Sequence, residues 1–279
     1  MDCNRRNFVR NLLLAGAVSG GGQAKADTGR NRRKRTIPVA LAQFDAVPEQ
    51  VERNLQEVER LTERAVEAGA RWVMFHEGTL CDYTPRLKEL AEPVPLGSST
   101  ARMERLARRL NCYLSFGLSE ADRGRYYITQ VFVEPGWFVY RYRKTWIFKD
   151  ATDKGYRNEW ARYNPGTGPD LFVFDGVKAT CFICADGSAP RCVQRAAELN
   201  PDLVFFPNNH SKPPNLDEES NRARTIRAPM LVTNRVGYSW MHKMMGGSLI
   251  CSASGEVLAS ANSEGKEEIL RHNLEIETV

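Results

Sequence analysis

Three side chains able to do nucleophilic and proton-transfer chemistry stand where short apolar runs end. They are Glu77 after Trp72-Val73-Met74-Phe75-His76, Lys144 after the run from Trp137 to Tyr142, and Cys184 after Lys178 to Ile183. A thiolate is a nucleophile, a carboxylate can take its proton, and an ammonium can stabilise the negative charge that follows. Each residue also has a plainer reading, because a strand cysteine is more often inert core and a charged residue past a strand end is more often solvated. The run into Cys184-Ala185-Asp186-Gly187 is apolar and β-branched and stops at Asp186-Gly187. It predicts a buried strand ending in a tight turn, with the thiol at the strand end. Cys181-x-x-Cys184 has the spacing of a redox or zinc pair, but strand positions three apart face opposite ways. No second Cys-x-x-Cys or His-x-x-x-His completes a metal set, and no metal is expected.

The elements that must position these residues follow in order. Thr36 to Phe44 reads as a strand with Pro38 near its start; Pro48 opens a helix carrying Val51, Leu55, Val58 and Leu61 on one face, which stops near Gly69. A strand from Arg71 to Phe75, a helix bearing Met103, Leu106 and Leu110, and a strand from Cys112 to Leu118 come next. Tyr126 to Val133 and Trp137 to Tyr142 form a hairpin around Glu134-Pro135-Gly136, leading into a long loop from Thr145 to Pro169 of the kind that builds sites. The second half echoes the first: helix Pro190 to Leu199, strand Asp202 to Phe206, helix Asp217 to Ala228, strand Met230 to Asn234, then strands at Gly247–Cys251, Glu256–Ala259 and Glu268–Ile276. This alternation predicts an α/β protein with two sheets and helices outside them.

At 279 residues, 42% apolar and 26% charged, the chain can bury the core of one large domain. The formal charge of +5 is concentrated at the start: residues 1 to 35 hold nine Lys or Arg against two Asp, leaving 30 basic and 32 acidic residues beyond. A nucleic-acid role is therefore not expected. Arg5-Arg6-Asn7-Phe8-Val9-Arg10, a short apolar run from Leu12 to Ala17, and Ala24-Lys25-Ala26 resemble a twin-arginine export signal with its cleavage site, spanning residues 1–26. A basic linker at 27–35 follows, then the domain at 36–279. No other segment approaches 18 apolar residues, so a periplasmic protein without membrane insertion is expected. Export after folding in a reducing compartment argues against an obligatory disulfide among the six remaining cysteines.

Several ordered motifs across residues 36 to 276 resemble the nitrilase superfamily of carbon-nitrogen hydrolases: Phe75-His76-Glu77, Tyr142-Arg143-Lys144, Cys184-Ala185-Asp186-Gly187, Asn234-Arg235-Val236-Gly237, and Gly247-Ser248 followed by Ser254-Gly255-Glu256-Val257. The resemblance implies a four-layer α-β-β-α sandwich and a Glu-Lys-Cys triad in which Glu77 is the general base, Lys144 the lysine and Cys184 the nucleophile, with no cofactor. Glu159, followed by Pro165-Gly166, matches a further glutamate of many members. The Ala185 backbone N–H and Asp186 fall beside the nucleophile, and Asn208-Asn209 after a strand are candidates to line the same pocket. Where relatives carry Phe-Pro-Glu, this chain has Ala189-Pro190-Arg191, and Arg191 is either an anchor for a substrate carboxylate or a surface residue. The expected substrate is a small linear amide or N-carbamoyl compound rather than a nitrile, and the expected assembly a homodimer. An acyltransferase using the same thioester, or a ligand-binding protein on this scaffold, is the alternative.

Overall fold

Ile37, Val39 and Leu41 alternate with Ala40 and Ala42 along the first strand, and all five are buried. A strand apolar on both faces must lie between two layers. The computed structural model describes residues 33–149 and 158–278. The first half runs β1 (Arg33–Gln43), α1 (Val51–Glu67), β2 (Trp72–Phe75), α2 (Leu87–Leu90), α3 (Ser98–Leu110), β3 (Tyr113–Asp122), β4 (Arg125–Glu134) and β5 (Trp137–Arg143). The second runs β6 (Phe172–Phe174), β7 (Val177–Cys181), α4 (Pro190–Glu198), β8 (Leu203–Pro207), α5 (Leu216–Ile226), β9 (Met230–Thr233), β10 (Val236–Ser239), β11 (His242–Met245), β12 (Leu249–Cys251), β13 (Val257–Ser260) and β14 (Glu268–Thr278).

Two six-stranded sheets result, ordered β14-β1-β2-β3-β4-β5 and β13-β12-β9-β8-β7-β6. Each has three parallel strands at its centre, β1-β2-β3 in one and β7-β8-β9 in the other, flanked by antiparallel strands. Trp72, Phe132, Phe174 and Phe205 fill the space between the sheets, with ring centroids 5.0 Å apart for Trp72–Phe174 and 4.9 Å for Phe132–Phe205. The opposite face of the first sheet, with Ala40, Val73, Phe75 and Leu114, packs on Leu55, Val58 and Leu61 of α1 and Met103 and Leu106 of α3. The expected four-layer sandwich is the fold.

Several boundaries differ from the sequence expectation for physical reasons. The linker expected at 27–35 ends earlier, since Arg33, Lys34 and Arg35 already pair with β14, and Arg35 also forms an ion pair with Asp175. Pro38 thus sits inside β1. Its carbonyl accepts from Arg71 N–H beyond the start of β2, so its missing N–H falls where no partner strand yet runs. Helix α1 starts at Val51 rather than Pro48 because Glu49 has φ +63° and turns the chain there. The hairpin β10–β11 was not expected. The signal expected at 1–26 lies outside the described residues. All six cysteines among the described residues are unpaired thiols.

Gly117 of β3 lies under the end of β2, where an added Cβ would stand 2.4 Å from Gly78 N and 2.9 Å from His76 O. Gly117→Ala should therefore push the segment carrying Glu77 and destabilise the fold by about 1–3 kcal/mol, read as a lower urea midpoint with unchanged slope.

Candidate active site

Lys144 follows β5 directly, and its backbone is held on both sides: its N–H donates to Ile128 O at 2.8 Å and its carbonyl accepts from Gly166 N–H at 2.8 Å. Gly166 permits this return of the loop, since a Cβ there would lie 2.2 Å from Arg143 O. The Lys144 side chain is fully buried, and Nζ donates to Glu77 Oε1 and to Glu159 Oε1, each at 2.8 Å. Glu159 is fixed in turn by Phe148 N–H, 2.9 Å from its second oxygen. The second oxygen of Glu77 is buried without a protein partner. Burial pulls the Lys144 pKa down, but the carboxylates of Glu159 and Glu77 outweigh it and hold the ammonium well above its ordinary value. Burial raises the carboxyl of Glu159 against the pull of Lys144.

Cys184 arrives from the other sheet. Strand β7 stops at Cys181, three residues sooner than the sequence predicted; Ile183 is still extended, and Cys184, at φ +44°, opens a 3-10 turn over Cys184–Ser188. The thiol therefore sits at an elbow, not a strand end. A left-handed conformation is uncommon for a non-glycine residue, and it needs support from its surroundings. Asp186 supplies that support. Its Oδ2 accepts from Ile183 N–H at 2.9 Å and from the Tyr142 hydroxyl at 2.8 Å, while Oδ1 accepts from Thr145 N–H at 3.0 Å and also from Trp146 N–H. Expected beside the substrate, Asp186 is instead fully buried, with both oxygens engaged in joining the Cys184 turn to the segment that carries Lys144.

Asn209 and Cys184 line the same cavity, the Asn209 backbone helping to lower the thiol's pKa, and Glu77 N–H donates to Asn208 O at 3.3 Å. The strand ends bearing Cys184, Glu77 and the asparagines thus meet. Burial, then the negative charges of Glu77 and Glu159, push the thiol up to about 12 against the opposing pull of Lys144 and the Asn209 backbone. The resting sulfur is a thiol.

A cavity of about 610 Å³ opens over half-buried Cys184. Ala185, Asn208 and Asn209 line it, as expected from sequence, together with Glu159. Asn209 Nδ2 donates to Asp82 at 2.8 Å, and Asp82 also accepts from fully buried Arg235 at 2.8 Å. Arg191 is not part of this site. It lies exposed in the first turn of α4, away from the cavity wall. Sequence reasoning missed Tyr83, Phe206, Glu219 and Arg222, which do line the cavity. The acidic start of α5, Asp217-Glu218-Glu219 after Asn215, was the available signal for Glu219.

The profile of the carbon-nitrogen hydrolase family matches residues 38–279. The chain belongs to this family. This carbon-nitrogen hydrolase is 28% identical over 238 residues to a nitrilase of Pyrococcus abyssi, a match covering 84% of this chain and 87% of that one. Its fold resembles the crystal structure of a carbon-nitrogen hydrolase from Helicobacter pylori, with a TM-score of 0.75, 21% identity and coverage of 85% and 88% of the two chains. It also resembles a mutant amidase from Nesterenkonia in which the acetamide moiety of fluoroacetamide is covalently added at the active-site cysteine, with a TM-score of 0.74, 21% identity and coverage of 85% and 90%.

A thiol with this titration should be modified by methyl methanethiosulfonate at a rate rising about tenfold per pH unit between pH 7 and 10, without a plateau. Cys184→Ala should abolish that modification. A plateau below pH 9 would instead mark a preformed thiolate.

Proposed function

We propose that this hydrolase cleaves the C–N bond of a small linear amide or N-carbamoyl compound through a thioester on Cys184. The observation that carries the reading is the buried cluster in which Lys144 joins Glu77 and Glu159, beside a half-buried thiol at a cavity wall. Glu77 keeps one oxygen without a protein partner, the position from which a base takes a proton. It accepts the proton of Cys184 as the sulfur attacks the carbonyl carbon. Lys144 and the Ala185 backbone N–H face the charge that develops on the carbonyl oxygen. The C–N bond then breaks as Glu77 returns its proton to nitrogen, and ammonia or an amine leaves. Water, losing a proton to Glu77, attacks the thioester; the acid departs and the sulfur recovers its proton. Glu159 holds Lys144 in place and is a positioning residue. The covalent addition of the acetamide moiety of fluoroacetamide at the cysteine of the Nesterenkonia amidase marks that cysteine as a nucleophile, which supports a nucleophilic role for Cys184 here.

Incubating residues 27–279 with short amides and N-carbamoyl amino acids should give a transient acyl or carbamoyl mass adduct and release ammonia. Both should vanish in Cys184→Ala. Glu77→Gln should lower kcat by about 10²–10⁴-fold. Turnover by Cys184→Ala, or ammonia release without any adduct on trapping by rapid quench, would refute the thioester route.

A further inference from the structure

Arg222 is the guanidinium that lies at the cavity wall, where an anchor for a substrate carboxylate would be sought. Each of its nitrogens is already engaged. Nε donates to Gly187 O at 3.0 Å, Nη1 to Glu219 at 2.6 Å and Nη2 to Glu218 at 2.9 Å, with the guanidinium carbon 5.6 Å from the Phe206 ring centroid. One cation thus serves two carboxylates, and both carboxylates line the cavity. Lys144 is likewise shared between Glu77 and Glu159, so the charge of each of these cations is already balanced by two carboxylates. Lys212 is exposed at the cavity wall, where solvent screens its charge.

Glu219 is the distinctive member of this group. It is 4% exposed, its Oε1 holds Arg222, and its Oε2 is buried without a partner. A buried carboxylate oxygen left unpaired is costly, and a donor from a ligand relieves that cost. Gly187, which anchors Arg222, lies in the same 3-10 turn as Cys184, and Glu219 and Cys184 line one cavity. Tyr83, Trp146, Phe148 and Phe206 add aromatic faces to the walls, and such faces attract cations.

We infer that Glu219 receives a positively charged nitrogen on the acyl side of the substrate, so that the preferred substrates are amides carrying an ammonium group rather than a carboxylate. This rests on the amidohydrolase reading for its chemistry, but not for its binding. Burial raises the carboxyl of Glu219, opposed by Arg222; a ligand cation at Oε2 opposes that rise further.

The test uses ω-amino amides of about three to six carbons, with neutral alkanamides and ω-carboxy amides of the same lengths. Binding to the Cys184→Ala protein, measured by calorimetry, reports affinity without turnover. The amino amide should bind at least about tenfold more tightly than the carboxy amide of equal length. In Cys184→Ala/Glu219→Gln, the affinity ratio of amino to neutral amide should fall about tenfold. In the wild-type background the same substitution should lower the corresponding ratio of kcat/KM, with the change in KM. Glutamine retains an acceptor for Arg222, and the comparison of the three ligands on the Cys184→Ala protein stands without the second substitution. Equal affinities, tighter carboxy amides, no binding of any amino amide, or a ratio unmoved by Glu219→Gln overturns the inference. Failure of wild-type enzyme to form an adduct with any of these amides is a separate result, which strikes the thioester reading alone.

Discussion

A buried ammonium ion held between two carboxylates is the constraint on which this structure turns. Lys144 is fully buried, and taking it and two carboxylates out of water costs several kcal/mol per ion. Attraction recovers that cost only at close range and good geometry, so the chain must deliver three side chains to one point. It does so from separate elements: Glu77 beyond β2, Lys144 beyond β5, and Glu159 from a short 3-10 turn of the long loop. The glycine that lets the loop lie on Arg143, and the backbone N–H that fixes Glu159, follow from the same requirement.

Cys184 comes from the opposite sheet, so its distance from Glu77 is set by how the two sheets pack. Their aromatic interface, around Trp72, Phe132, Phe174 and Phe205, is an incompressible spacer. At the strand ends the apolar spacer gives way to polar joints that cross from sheet to sheet. The Thr233 hydroxyl donates to Phe75 O at 3.1 Å, Glu77 N–H to Asn208 O, and the Tyr142 hydroxyl to Asp186. Each joint ends within a few residues of a member of the site. The strained backbone of Cys184 is tolerable because Asp186 takes donors from both sides of the gap.

This division explains what was legible in the sequence. Glu77, Lys144 and Cys184 could be found because apolar runs mark strands, and strand ends in an α/β protein gather at one place. Glu159 was legible through Pro165-Gly166, whose glycine the packing demands. The direction of a side chain was not legible. Arg191 follows the nucleophile closely in sequence, yet the first turn of α4 presents it to solvent, while Arg222 reaches Gly187 from α5. Asp186 stood one position from a cavity-lining residue and points inward instead. The hairpin β10–β11 gave no β-branched run to detect; Gly237, His242, Lys243 and Met244 form strands there through pairing with one another.

The high titration of the thiol, which looks unfavourable for a nucleophile, follows from the same cluster. Glu77, Lys144 and Glu159 together carry one negative charge when all are ionised, and a thiolate added beside them would make two. Moving the proton from Cys184 to Glu77 keeps the total at one, since the charge only changes place. Lys144, released from Glu77, then faces the thiolate with Glu159 still behind it. In the proposed reaction the arrangement resists losing the proton to solvent and permits its transfer to Glu77, so that the sulfur becomes reactive as a carbonyl carbon receives it.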